Sequence, residues 1–175
     1  MRFSTFFLFG LWLSSCAEPD VKSTQKHYTD IKGFVESEVN RLSKSNIRVN
    51  KTVVQNGIPE SLSNIAVNWK NELALFSESD INKSAWKDSY KVIEKKESIE
   101  YHTLDSNLRT KLIIIRFNKN KEAVYLQIKN QTSNSLYKTN ETLTYIPDSV
   151  YSVIKDQKVL FLGKNRYEIK GNLIH

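Results

Sequence analysis

Leu108-Arg109-Thr110-Lys111-Leu112-Ile113-Ile114-Ile115-Arg116-Phe117 (LRTKLIIIRF) is the strongest strand signal in the chain. Its centre is rich in β-branched residues, which pack well on a pleated surface. Successive strand residues point to opposite faces, so the run Leu112 to Ile115 is apolar on both. Such a run belongs inside a sheet, with cover on each side. Outward from it, the apolar period stays near two from Ser89 to the C-terminus. Tyr90–Leu104 reads as one strand bulged at Lys95-Lys96-Glu97, and Asp105-Ser106-Asn107 turns it into Leu108–Phe117. Asn118-Lys119-Asn120 turns again into Ala123–Lys129, with Val124, Leu126 and Ile128 expected inward. Leu136–Ile146, Val150–Ile154, Lys158–Leu162 and Tyr167–Ile174 complete the series, the last two separated by Gly163-Lys164-Asn165. Turns about every 10–15 residues mark an antiparallel meander.

Ahead of Ser89 the period is helical. Ile31, Phe34, Val35, Val39 and Leu42 fall on one stripe of a helix that Thr29 or Asp30 can cap and Asn46 stops. Ile47 to Gln55 is strand-like, Asn56-Gly57 suits a tight hairpin turn, and Pro59 delays the return limb to Leu62–Val67, an edge strand. Asn68 can cap a second helix with Trp69, Leu73 and Phe76 on one face. The expected fold is therefore α+β: a curved antiparallel sheet of about seven to nine strands on two amphipathic helices, a half-open barrel being its most wrapped form.

The first sixteen residues carry a different signal. Arg2 is followed by an apolar run, Phe6 to Leu13, broken only by Gly10. That run is far short of the roughly 20 residues that cross a bilayer, and it reads as a secretory leader. Leu13-Ser14-Ser15-Cys16 resembles the lipobox of bacterial lipoproteins. The resemblance implies cleavage before Cys16, palmitate-type acyl chains on that residue, and, with Ala17 where a retention signal would place Asp, the outer membrane. The expected organisation is a signal peptide over 1–15, a lipidated tether over 16–27 and one α+β domain over 28–175.

Losing residues 1–15 leaves 160 of the 175 residues, enough for one core, and the loss of Arg2 turns the formal charge from +7 to +6. The lysines are scattered; the densest pair, Lys95-Lys96, lies between Glu94 and Glu97, so nucleic acid is not the expected partner. With Cys16 the sole cysteine, no disulfide can form within the domain. No HExxH, CxxC or Gly-x-Ser-x-Gly pattern occurs, and the carboxylate pairs Glu94/Glu97 and Asp80/Asp88 read as solvated surface. His102 reads as a solvated or paired strand residue. The expectation is no catalytic residue, no metal site and no cofactor.

Two non-enzymatic functions follow. The order of elements resembles in outline the half-barrel carriers and receptors that move lipoproteins to the outer membrane. On that resemblance an apolar or lipid-like ligand would lie between sheet and helices, near Trp69 and Trp86. The alternative, slightly preferred for the polar faces around Lys138, Asn140, Thr142 and Thr144, is a structural or adaptor lipoprotein that meets another envelope protein. The segment NWKNELALFSESDINKSAWKDSY (68–90) is similar to uncharacterised lipoproteins of Bacteroidota, a likeness that implies no activity.

Overall fold

The computed structural model describes residues 27–175; the expected leader and Cys16 lie outside the described residues. Helix α1 (Ile31–Lys44) leads into the hairpin β1 (Arg48–Gln55) and β2 (Ile58–Ile65). Two single-turn helices, α2 (Trp69–Glu72) and α3 (Ala74–Ser77), and a 3-10 turn at Ser84–Trp86 follow. Then come β3 (Tyr90–Lys95), β4 (Ser98–Thr103), β5 (Thr110–Phe117), β6 (Ala123–Ser133), β7 (Tyr137–Ile146), β8 (Val150–Val159) and β9 (Gly163–Ile174). All nine strands form one antiparallel sheet in the order β2-β1-β9-β8-β7-β6-β5-β4-β3. Only the β1–β9 pairing joins strands far apart in sequence. The sheet curves without closing, so among the described residues β2 and β3 are its edges, and the fold is the expected α+β class.

The helices cover the concave face. Asp30 caps α1 by accepting the Gly33 N–H at 2.9 Å, and Arg41 and Lys44 sit at the negative end of its dipole. Ile31, Val35 and Leu42 are buried, while Phe34 and Val39 pack at the margin. Asn68 caps the second helical segment as expected, through the Asn71 N–H. That segment is not one helix, however. It kinks at Leu73, where the bonding tightens to Phe76 N–Leu73 O, and both short pieces still turn Trp69, Leu73 and Phe76 inward. From the sheet they meet Val49, Tyr101, Ile113, Ile115, Leu126, Ile128, Leu143, Tyr145, Tyr151 and Val153.

Several expected boundaries move. Asn56 and Gly57 take φ of +50° and +88°, the conformation of a two-residue hairpin turn, so β2 resumes at Ile58 and not at Leu62. Pro59 is tolerated because β2 is an edge. Tyr90–Leu104 is two strands: Lys96-Glu97 is a hairpin turn, not a bulge. Val150–Ile154 and Lys158–Val159 are one strand, and the chain reverses at Leu160-Phe161-Leu162, before Gly163. Leu126 and Ile128 point inward as expected. Val124 does not, because the β5–β6 register shifts between Arg116↔Tyr125 and Phe117↔Ala123 and leaves it as the extra residue. In β5, Ile113 and Ile115 are buried, but no described element covers the outer face. Leu112 and Ile114 there are only half-buried, between the cross-strand neighbours His102 and Lys129 or Glu100 and Gln127.

Candidate functional site

Three carboxylates occupy the concave side, and they are the first places to look for chemistry. Glu38 of α1 takes a two-point contact from Arg41 at 2.9 and 2.8 Å and accepts the buried Tyr145 hydroxyl at 2.6 Å. Arg41 also reaches Asp148 in the β7–β8 turn at 2.7 Å. Glu72 of α2 repeats the arrangement, with the Lys51 ammonium at 2.7 and 2.9 Å and the Tyr151 hydroxyl at 2.6 Å. Glu141 projects from β7 between Arg109 at 2.7 Å and Lys155 at 3.3 Å.

The electrostatics follow from those partners. Burial, reinforced by the Glu38 carboxylate, pushes ionisation of the Tyr145 hydroxyl far above its usual range. Burial together with Glu72 does the same to Tyr151, and burial, with smaller contributions from Tyr28 and Asp105, to Tyr90. For Glu141 burial alone would raise the carboxyl. The Arg109 hydrogen bond and the charges of Arg109 and Lys155 outweigh it and hold the group below the usual carboxylate range. A general acid or base must reach a substrate proton. Each of these carboxylates already accepts strong donors, and none of the surface depressions described below is lined by one of them. Their arrangement pins α1 and α2 to β7, β8 and β1. Among the described residues no group of three or more His, Cys, Asp or Glu side chains is placed to hold a metal ion.

A further polar cluster lies under the end of α3. The Ser79 hydroxyl donates to Leu75 O at 2.7 Å and accepts from Asn130 Nδ2 at 2.9 Å, while the Tyr90 hydroxyl donates to Thr110 O at 2.9 Å. Asn130, one of four Asn-x-Ser/Thr positions in the chain, therefore faces the core, where no glycan can be attached.

The expected site residues are set apart. Trp69 is buried with its ring edge-on to Tyr151 at 6.2 Å. Trp86 is half-buried under the Lys83 ammonium, 4.1 Å from the ring centre, and its carbonyl accepts the Tyr28 hydroxyl at 3.0 Å. His102 pairs with Glu100 at 3.0 Å, as a strand residue. Charged groups of both signs line a hollow of about 740 Å³ beside the first turn of α1, where Asp30, Lys32, Glu36, Glu78, Asp80 and Lys83 mix. A groove of about 470 Å³ between α1 and α2–α3 has Val35, Val39, Leu73 and Ala74 in its walls. Neither is lined by Trp69 or Trp86; Trp69 borders a separate hollow of about 350 Å³ with Leu42, Asn46, Ile47 and Val67, away from Trp86.

The outer surface is where exposed apolar and basic side chains collect. Ile58 and Leu62 stand exposed on the open edge strand β2. Leu136, Leu160, Phe161 and Leu162 are exposed together at one end of the sheet, where Leu160 N donates to Leu136 O at 2.8 Å. Beside them a hollow of about 460 Å³ on the convex face carries Lys138, Lys158, Lys164 and Arg166. Sequence reasoning missed the buried carboxylates and this basic hollow. The Glu38/Arg41 spacing, one helical turn apart, was a usable signal for the first; the lysines lie on three separate strands and left none. No family model, no curated protein and no solved structure matches the chain.

Proposed function

We propose that the chain is an envelope lipoprotein, anchored in the outer membrane by acyl chains on Cys16, that serves as a non-enzymatic adaptor for another envelope protein. The observation that carries the adaptor reading is the filled concave side of the sheet: Tyr145, Tyr151, Phe76 and Leu73 are each no more than 1% exposed. A carrier of the half-barrel kind needs an apolar hollow there. An apolar ligand would have to use an outward hollow instead, either the groove between α1 and α2–α3 or the one of about 740 Å³ beside Ile99 and Phe117. The adaptor reading finds its surface at β2, whose outer edge has no partner strand among the described residues and bears Ile58 and Leu62. A strand laid along that edge would gain main-chain hydrogen bonds and two apolar contacts.

A photo-crosslinking residue at Leu62, in cells of a bacterial host that acylates lipoproteins, is expected to give one discrete adduct with an envelope protein. The same residue at Asn120 is expected to give none. Recovery only as monomer under every crosslinking condition rejects the adaptor. Uptake of a fluorescent fatty acid by the delipidated protein would replace it with the apolar-ligand reading. Mass spectrometry showing residue 16 unacylated, with the leader attached, would remove the anchor.

A further inference from the structure

The β8–β9 turn departs from what a turn requires. Its three residues are Leu160, Phe161 and Leu162, and Phe161 is 97% exposed and Leu162 79%. Phe161 takes φ of +66°, a region that side chains other than Asn and Asp rarely enter. Asn or Gly would make this reversal with less strain, so neither the turn nor the core asks for a large aromatic here. Leu136, from the neighbouring β6–β7 turn, extends the same apolar tip.

Directly below the tip, Lys138 is paired across the sheet with Lys158, and Lys158 with Lys164. Each lies an odd number of residues from an inward-facing position of its own strand (Tyr145, Tyr151, Gly171), which puts all three on the convex face. All three are exposed, and like charges directly opposite one another destabilise a sheet. None forms an ion pair with a described carboxylate: Asp156 and Glu168, the acids nearest in register, are both taken by Arg166 at 2.9 and 2.6 Å.

An apolar tip over a row of unneutralised lysines is the pattern that holds a protein at an anionic lipid surface, where apolar insertion and headgroup attraction add. We propose that Leu160-Phe161-Leu162 enters the acyl boundary of an anionic bilayer while Lys138, Lys158 and Lys164 meet its headgroups. This contact is separate from the acyl chains proposed for Cys16 and does not rest on them. A second copy of the chain is a poorer occupant, because a two-fold contact at the tip would bring the two lysine rows together. Free phosphate would leave the tip without purpose.

The test uses the full chain with Cys16→Ser, which removes the sole cysteine, and Leu162→Cys carrying an environment-sensitive nitrobenzoxadiazole label. A matched chain carries the label at Asn120→Cys, in the β5–β6 turn at the opposite end of the sheet. Vesicles of phosphatidylcholine with phosphatidylglycerol are expected to raise and blue-shift emission at residue 162, leaving residue 120 unchanged. Phosphatidylcholine alone is expected to do far less. Replacing Lys138, Lys158 and Lys164 by Gln is expected to weaken the response about 100-fold, at roughly fivefold per lysine, with a urea midpoint equal to or above that of the parent chain. Four outcomes overturn the proposal: no response to anionic vesicles, equal responses at 120 and 162, indifference to the lysine changes, or a response without vesicles that grows with protein concentration. The last would mark the tip as a self-association surface. A label silent with vesicles but protected by an envelope protein would mark it as a protein-docking surface.

Discussion

Gly171→Ala is the most demanding test of the packing described here. Gly171 stands opposite Tyr151 on β8 and Lys51 on β1, and the Tyr151 ring lies flat across it. A Cβ at residue 171 would stand 2.2 Å from Cε1, 2.3 Å from Cζ and 2.6 Å from the hydroxyl oxygen of that ring. To reach the 3.4 Å of ordinary contact, the ring would have to move about 1.2 Å. It has nowhere to go: Tyr151 is fully buried, Trp69 abuts it edge-on, and its hydroxyl is held by Glu72 at 2.6 Å. Overpacking of this kind costs about 1–3 kcal/mol. Displacing a hydrogen bond to a charged acceptor adds about 1.5–3 kcal/mol. The sum, about 2.5–6 kcal/mol, is a large part of the stability of an ordinary domain. Urea unfolding should show it as a lowered midpoint with unchanged slope, and thermal unfolding as a fall of about 10 °C. The cause is separable from a general dislike of alanine in the strand. In a Tyr151→Leu background the ring is gone, and Gly171→Ala should then be neutral or stabilising by about 0.5 kcal/mol. A cost below about 0.5 kcal/mol in the parent chain, or equal costs in both backgrounds, would refute the stacking of Tyr151 on Gly171.

Other consequences concern ionisation and the strained turn. Tyr90, Tyr145 and Tyr151 all ionise above their unfolded value when folded, so their stabilisation is complete below about pH 10 and is lost as pH rises beyond it. Each should remove about 1.4 kcal/mol per pH unit there. Urea midpoints across this range should therefore fall less steeply in Tyr145→Phe than in the parent chain, and an unchanged slope would count against the buried hydroxyl. Glu141 has the opposite sign: its folded carboxyl titrates below its unfolded value, so its contribution is present above about pH 4.3 and disappears as pH falls through the folded value. Glu141→Gln should cost about 1–2 kcal/mol near neutral pH, and the gap should narrow on acidification. Phe161→Asn should stabilise the fold by about 0.5–1 kcal/mol, measured by urea unfolding, because Asn accepts the positive φ more readily.

Local chemistry made much of this molecule legible in advance. The stripe from Ile31 to Leu42, the caps Asp30 and Asn68, the Asn56-Gly57 turn and the strand around Ile113 each depend on a few neighbouring residues, and each formed as their periods and turn preferences direct, although the strand around Ile113 is covered on one face only. Reading failed where a partner strand decides. Lys96-Glu97 turns without the residues that usually announce a turn, and Val124 is displaced by a register shift imposed by β5. Polar residues 155–157 looked like a break, yet Lys155 and Asp156 are held in β8 by Glu141 on one face and Arg166 on the other.

By itself, then, the sequence determined the α+β class, the helix faces and most of the alternation, because those are set by side-chain period within ten residues or so. Only the tertiary structure decided that Glu38 and Glu72 are buried, since a carboxylate can leave water only when donors as distant as Tyr145, Tyr151 and Lys51 are brought to it. It decided likewise that three scattered lysines become one row beside an apolar tip, because strand pairing aligns residues 138, 158 and 164 that the chain keeps far apart.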